Sequence, residues 1–109
     1  MLAKEKDVEN EVKSIVDIIL ETVPALEIYL FGSFVDGTAK EDSDYDFYVV
    51  IPDGSMRELE ATWDIQGSIK SRTRGIDMLV RTKSKFDRNK NTLGYIEGEV
   101  VRKGLKLYG

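Results

Sequence analysis

The sequence contains neither cysteine nor histidine. The first absence excludes disulfides and thiolate metal sites. The second removes the commonest zinc ligand and the usual neutral-pH general base. Any catalysis must therefore run on carboxylates, hydroxyls, lysine, arginine or backbone groups. No apolar run approaches the roughly 20 residues needed to span a bilayer. The N-terminus is charged from Lys4 onward and lacks the apolar core of a signal peptide. These absences predict a cytoplasmic chain with no membrane partner. An excess of positive charge is missing too, since the net charge is −4. That argues against holding nucleic acid by charge alone, because phosphate backbones are bound mainly by Lys and Arg. A metal-bridged nucleotide stays open, since a cation reverses the local field.

What is present fits one domain. The 109 residues are 41% hydrophobic, enough for one modest core and not for two. Val8, Val12, Ile15, Val16, Ile19 and Val23 fall three and four residues apart, which predicts a helix from about Lys4 to Val23, ended by Pro24. Leu26 to Phe31 reads as a short, mostly apolar and therefore central strand. Ser33 to Asp42 is polar and reads as a loop or a single helical turn. Tyr45 to Ile51 is rich in aromatic and β-branched residues and predicts a second strand. After the Pro52-Asp53-Gly54 turn, Ser55 and Glu58 match a capping box. The following helix is expected to bury Leu59, Trp63 and Ile69. Gly75 closes that segment, and Ile76 to Val80 reads as a third strand. Residues 82–92, with Lys83, Lys85, Arg88 and Lys90, read as an exposed basic loop that could touch a nucleic acid or an acidic partner. A last helix is expected from Leu93 to Lys103, with Gly104 as its C-cap and Leu105 to Tyr108 as an edge strand. The alternation predicts an α/β or α+β fold, a small mixed sheet flanked by helices, in a single domain spanning residues 1–109.

The chemistry concentrates between Gly32 and Asp46. Asp44 and Asp46 are two residues apart where a strand begins, so both carboxylates point the same way. Such a pair repels itself unless a cation lies between its members. Oxygen-only ligands suit Mg²⁺ or Mn²⁺. Gly32-Ser33 directly follows the first strand, where a glycine lets phosphate approach the backbone and a short helix would offer free N–H groups. Asp77 lies inside an apolar strand, where a carboxylate is costly unless paired. Beside the second strand it could complete a metal site. Taken singly, these features have plainer readings: a solvated acidic turn, a strand-ending turn, and an edge-strand carboxylate facing water. Their convergence favours a site for phosphoryl or nucleotidyl transfer, where positioning and charge neutralisation do the work.

The run Gly32-Ser-Phe-Val-Asp-Gly37, then Ser43-Asp44-Tyr-Asp46, then Gly75-Ile-Asp77-Met, resembles the DNA polymerase β-type nucleotidyltransferase superfamily. Its length and its ending, Val100 to Tyr108, resemble the minimal nucleotidyltransferase group. The resemblance implies the nucleotidyltransferase fold, with Gly32, Ser33 and Ser43 at the nucleotide. It also implies that Asp44, Asp46 and Asp77 are both catalytic and metal-binding. The implied cofactors are Mg²⁺ or Mn²⁺ with an NTP substrate, ATP in first place. The implied reaction moves a nucleoside monophosphate to a hydroxyl on a partner protein, in an antitoxin-like role beside a helical HEPN-like protein. Many members of the group carry arginine where this chain has Phe34, Val35 and Asp36, and Asp36 would repel a triphosphate. That departure keeps two alternatives in view: a catalytically weak module that neutralises its partner by docking, and a nucleotide-sensing domain.

Overall fold

The computed structural model describes residues 5–109. Helix α1 (Glu5–Thr22) carries the expected apolar seam, with Val12, Ile15, Val16 and Ile19 buried; its expected start at Lys4 lies outside the described residues. Strand β1 (Glu27–Phe31) leads into the one-turn helix α2 (Ser33–Asp36), and β2 (Tyr45–Ile51) follows. Helix α3 (Glu58–Ser68) crosses to β3 (Ile76–Thr82), and helices α4 (Lys83–Asn89) and α5 (Ile96–Lys103) precede β4 (Leu105–Tyr108). The sheet order is β3-β2-β1-β4. β1 pairs antiparallel with both β2 and β4, and β2 pairs parallel with β3. The sheet is therefore mixed, and the apolar β1 is internal, as its composition required.

Strand alternation divides the core into two layers. Ile28, Leu30, Phe47, Val49, Ile51, Ile76 and Val80 face α1 and α3. Tyr29, Tyr48 and Val50 face α4 and α5, where Phe86 and Val100 cover them. Glu97 is buried in this second layer, 3% exposed, and accepts a 2.7 Å hydrogen bond from the Tyr48 hydroxyl.

Three local expectations are corrected. The capping box does not form. The Ser55 hydroxyl donates to the Pro52 carbonyl at 2.6 Å, and the Glu58 carboxylate accepts from the Thr82 amide at 2.9 Å. Ser55 closes the preceding turn, Glu58 serves a distant strand end, and α3 starts without a side-chain cap. Leu59 and Trp63 lie on the outer face of α3, 57% and 66% exposed, while Ala61 and Ile65 are buried. With apolar residues on more than one face of this helix, tertiary packing rather than size selected the inward one. Residues 82–92 are not a bare loop but contain α4. Phe86 anchors it in the core, and Lys83, Lys85 and Lys90 form ion pairs with Asp87 and Glu58. Gly104 caps the last helix as expected, its amide donating to the Val100 carbonyl at 2.8 Å, with an extended backbone at φ −74°.

Stability should follow this packing. Phe86→Ala should destabilise the protein by about 3–5 kcal/mol, the usual cost of an aromatic cavity. Trp63→Ser should change stability by less than about 0.5 kcal/mol, as for an ordinary surface position. Urea unfolding of the two variants measures both, and equal losses would contradict the burial pattern.

Candidate active site

β1 ends where β2 and β3 begin, at one end of the sheet. Phe31 sits opposite Asp46, and Asp46 lies beside Asp77 in the parallel register. Registered neighbours on parallel strands project from the same face. Two residues further along are Tyr48 and Leu79, which belong to the α4–α5 layer, so the two aspartates share that face of the sheet. Asp44 stands just ahead of β2 and close enough for its charge to act on Asp46. Asp44 and Asp77 are exposed, and Asp46 is half-buried.

This crowding changes the chemistry of Asp46. Burial, a hydrogen bond shared with Asp77, and the negative charges of Asp77 and Asp44 push its carboxyl up to about 6 from an ordinary 3.8. Two carboxylates this close disfavour both being ionised, and a cation between them would relieve that repulsion. The donor set is all oxygen, which suits a hard divalent cation. As the side chains stand, however, no group of three or more potential ligands among the described residues is gathered closely enough to hold an ion. The Asp46–Asp77 pair fits a metal by its charge and its contact. Asp44 rests against Gly75, where an added Cβ would meet the Asp44 carboxyl carbon at 2.7 Å.

Gly32 has φ 78°, a left-handed conformation that disfavours side chains. A Cβ there would run into the Asp46 carboxylate, whose carbon would lie only 3.2 Å away. The turn of α2 is closed by the Val35 and Asp36 amides, both donating to the Gly32 carbonyl at 3.0 Å. Gly37, at φ 88°, turns the chain out of α2 and back toward the carboxylates. The Ser43 hydroxyl accepts from the Lys40 amide at 2.7 Å, closing the turn immediately before Asp44. Asp36 is exposed, and its carboxylate accepts from the Thr38 amide and hydroxyl at 3.0 and 2.5 Å. Those bonds, with a weaker contribution from Lys103, hold its carboxyl below the usual range, so it remains charged.

Three supporting residues were not singled out from the sequence as parts of the site. Gly75, read only as a segment end, supplies the space that Asp44 occupies. Its carbonyl accepts from the Tyr45 amide at 3.0 Å and so fixes the start of β2. Glu11 on α1 accepts hydrogen bonds from the Tyr45 hydroxyl and from the Thr73 amide and hydroxyl, at 2.6, 3.1 and 2.7 Å. Burial raises the Glu11 carboxyl, but these bonds and the Arg74 charge outweigh it and leave it below the ordinary range. Arg74 lies over the rings of Phe34 and Tyr45. Glu11 is 62 positions from Thr73, so no local pattern could have revealed the contact. A glycine one residue ahead of an apolar strand was the available signal for Gly75.

Comparison with known proteins bears on the family and the fold. The family model described as a nucleotidyltransferase domain matches residues 12–103. A solved structure from Sulfolobus solfataricus, assigned there as a nucleotidyltransferase, superposes with a TM-score of 0.58 at 23% identity, covering 87% of this chain and 74% of that one. A toxin-antitoxin structure with AMP-PNP superposes with a TM-score of 0.61 at 23% identity, covering 89% of this chain and 72% of that one. At this identity the two structures speak for the fold. No curated protein matches the chain.

The raised Asp46 carboxyl gives a signed pH dependence. Between an ordinary 3.8 and about 6 the folded state holds a proton that the unfolded chain has released. Metal-free stability should therefore fall as pH rises through that window, with the full penalty present at neutral pH. Asp46→Asn should be more stable than the parent at pH 7 in chelator and lose that advantage near pH 4. Denaturation at the two pH values checks this, and a pH-independent difference would contradict it.

Proposed function

Because the chain belongs to the nucleotidyltransferase domain family, we propose that it transfers a nucleoside monophosphate from an NTP to a hydroxyl on a partner protein, using Asp44, Asp46 and Asp77. The observation that carries this reading is the registered Asp46–Asp77 pair beside the Gly32-Ser33 turn. The three carboxylates would hold Mg²⁺ or Mn²⁺, which supplies charge neutralisation for the triphosphate and the departing pyrophosphate. Gly32, Ser33 and Ser43 bind the phosphates through the half-buried turn of α2 and the loop that follows. Asp77, exposed beside Asp46, accepts the proton of the attacking hydroxyl. The acceptor oxygen bonds to the α-phosphorus as the bond to the bridging oxygen breaks, and pyrophosphate leaves with that oxygen. ATP is the triphosphate we favour, by analogy with the AMP-PNP in the toxin-antitoxin structure.

That same structure motivates a protein acceptor, for which we favour a helical, HEPN-like partner in an antitoxin-like pair. The residues described here build the nucleotide side of the site on one four-stranded sheet. Transfer also requires an acceptor held in near-attack geometry. We place the reaction in the cytoplasm; among the described residues no helix is long and apolar enough to cross a membrane. A specific observation favours a second reading. The charged carboxylate of Asp36 stands on α2, where it would oppose a triphosphate, and this suits a module that neutralises its partner by docking with little transfer.

Incubation with α-labelled ATP, Mg²⁺ and the co-purified partner separates the readings. Label should pass to the partner, and Asp77→Asn should lower the rate by about 10²-fold or more, as expected for loss of a proton acceptor. Ser33→Ala should weaken triphosphate binding by roughly 1–2 kcal/mol, the loss of a charge-assisted hydrogen bond. A stable complex without transferred label would support docking instead.

A further inference from the structure

Arg74 is the residue whose surroundings the fold alone explains least. It precedes Gly75, outside β3, yet it reaches three parts of the site. Its guanidinium carbon lies 4.8 Å from the centre of the Phe34 ring on α2 and 5.4 Å from that of the Tyr45 ring at the start of β2. The two rings pack on each other at 4.7 Å between centres. One terminal nitrogen, Nη1, donates to the Lys40 and Ser43 carbonyls at 3.3 and 3.1 Å. Those residues bracket the turn that ends at Asp44, and the turn is closed on itself by the Ser43 amide donating to the Lys40 carbonyl at 3.1 Å. The arginine therefore touches the helix after Gly32-Ser33, the loop before Asp44, and the first residue of the strand that carries Asp46.

Its anchorage comes from the opposite side. Thr73, the preceding residue, is bonded through its amide and hydroxyl to Glu11, which also accepts from the Tyr45 hydroxyl. α1 thereby fixes the backbone from which Arg74 extends, and the Glu11 carboxylate adds an attractive charge nearby. The bonding is nevertheless incomplete. The Arg74 Nε is buried and has no hydrogen-bond partner. An unpaired buried donor is unfavourable for stability, so a role in folding alone accounts poorly for arginine here.

We propose that Arg74 is a positioning residue: by stacking on Phe34 and bonding the Lys40 and Ser43 carbonyls, it clamps residues 37–43 and so presents Asp44 and the turn of α2 to the nucleotide. The proposal rests on the nucleotide-binding reading above. It requires no contact between Arg74 and the substrate. A loop of seven residues with Gly37 at one end has ample freedom to drift, and the clamp removes that freedom before binding rather than during it. Lysine is a poor substitute, since its compact ammonium cannot stack as a plane on the rings while also bonding two carbonyls.

The test uses the full chain with Arg74→Met, which retains apolar contact with the rings but loses the hydrogen bonds, and Arg74→Lys. Amide hydrogen exchange is measured without nucleotide, and Mg·ATP binding is followed with a fluorescent ATP analogue. In Arg74→Met, exchange over residues 38–45 should quicken by about tenfold, with the amides of β1 and α3 unchanged, because two bonds from a charged donor are lost locally. Mg·ATP affinity should fall by a similar factor, about tenfold, and Arg74→Lys should recover part of both losses. Unchanged exchange in the loop overturns the clamp. So does a loosened loop with parental Mg·ATP affinity, or an equal acceleration at every amide, which would mark a merely structural residue. A parent that binds no Mg·ATP overturns the nucleotide reading instead, and the loop exchange then decides the clamp by itself.

Discussion

The structure depends on the parallel pairing of β2 with β3. Antiparallel pairing would place the start of one strand beside the end of the other, with Asp77 far from Asp46. Parallel pairing brings both starts to one end of the sheet, where the register sets Asp46 directly beside Asp77. A parallel pair needs a crossover long enough to return the chain, and α3 provides it. β1 runs the other way, so its last residue, Phe31, also meets Asp46, and Gly32 follows at the level of the carboxylates. The mixed sheet is thus the arrangement that brings two strand starts and one strand end to a single edge.

That arrangement carries an electrostatic cost which the rest of the fold absorbs without relieving. No arginine or lysine is among the groups that shift Asp46; its neighbours are Asp77 and Asp44. The carboxylates are left facing one another, while the backbone is cleared around them. Gly32 and Gly75 each stand where a side chain would occupy the space of Asp46 or Asp44. Electrostatic satisfaction is concentrated elsewhere, on Glu58 with Lys85 and the Thr82 amide, and on Asp87 with Lys83 and Lys90. A fold selected for stability alone would have placed a cation or an apolar residue beside Asp46. The uncompensated pair is what the proposed divalent cation would neutralise.

The sequence made the frame legible where one residue pattern dominated. The seam of α1 follows from apolar spacings of three and four, β1 and β2 from their apolar, aromatic and β-branched runs, and all three were assigned nearly to their limits. It misled where a local motif competed with distant partners. Ser55 and Glu58 have the spacing of a capping box, but Glu58 is taken by Thr82, 24 positions away. Trp63 has the size of a core residue, yet the smaller Ala61 and Ile65 fill the space beneath α3. Lys83 to Lys90 look like solvent-exposed charge, and only Phe86 among them signalled a helix held by one buried ring. At the site, the aspartates were legible because they cluster with glycine and serine in an otherwise patterned chain. Their supports, Glu11, Arg74 and Gly75, are isolated residues whose contacts exist only once β3 lies beside β2 and, for Glu11, once α1 packs over that end of the sheet.

The two faces of the sheet divide the labour accordingly. α1 and α3 cover one face with aliphatic side chains, and from that side Glu11 reaches the loop ahead of β3. α4 and α5 cover the other face only from Tyr48 and Leu79 onward, so Asp46 and Asp77 lie beyond the edge of that cover. The Tyr48–Glu97 bond marks the boundary. One step toward the centre, a carboxylate is buried and its hydroxyl partner is held protonated, raised by burial and by that carboxylate. One step outward, Asp46 is half-buried and Asp77 is open to solvent. A shorter α4–α5 layer would expose Tyr48 and Val50, and a longer one would bury the aspartates without partners, which costs far more for charged groups than for apolar ones. The helical layer stops where the chemistry of the strand changes from apolar to acidic.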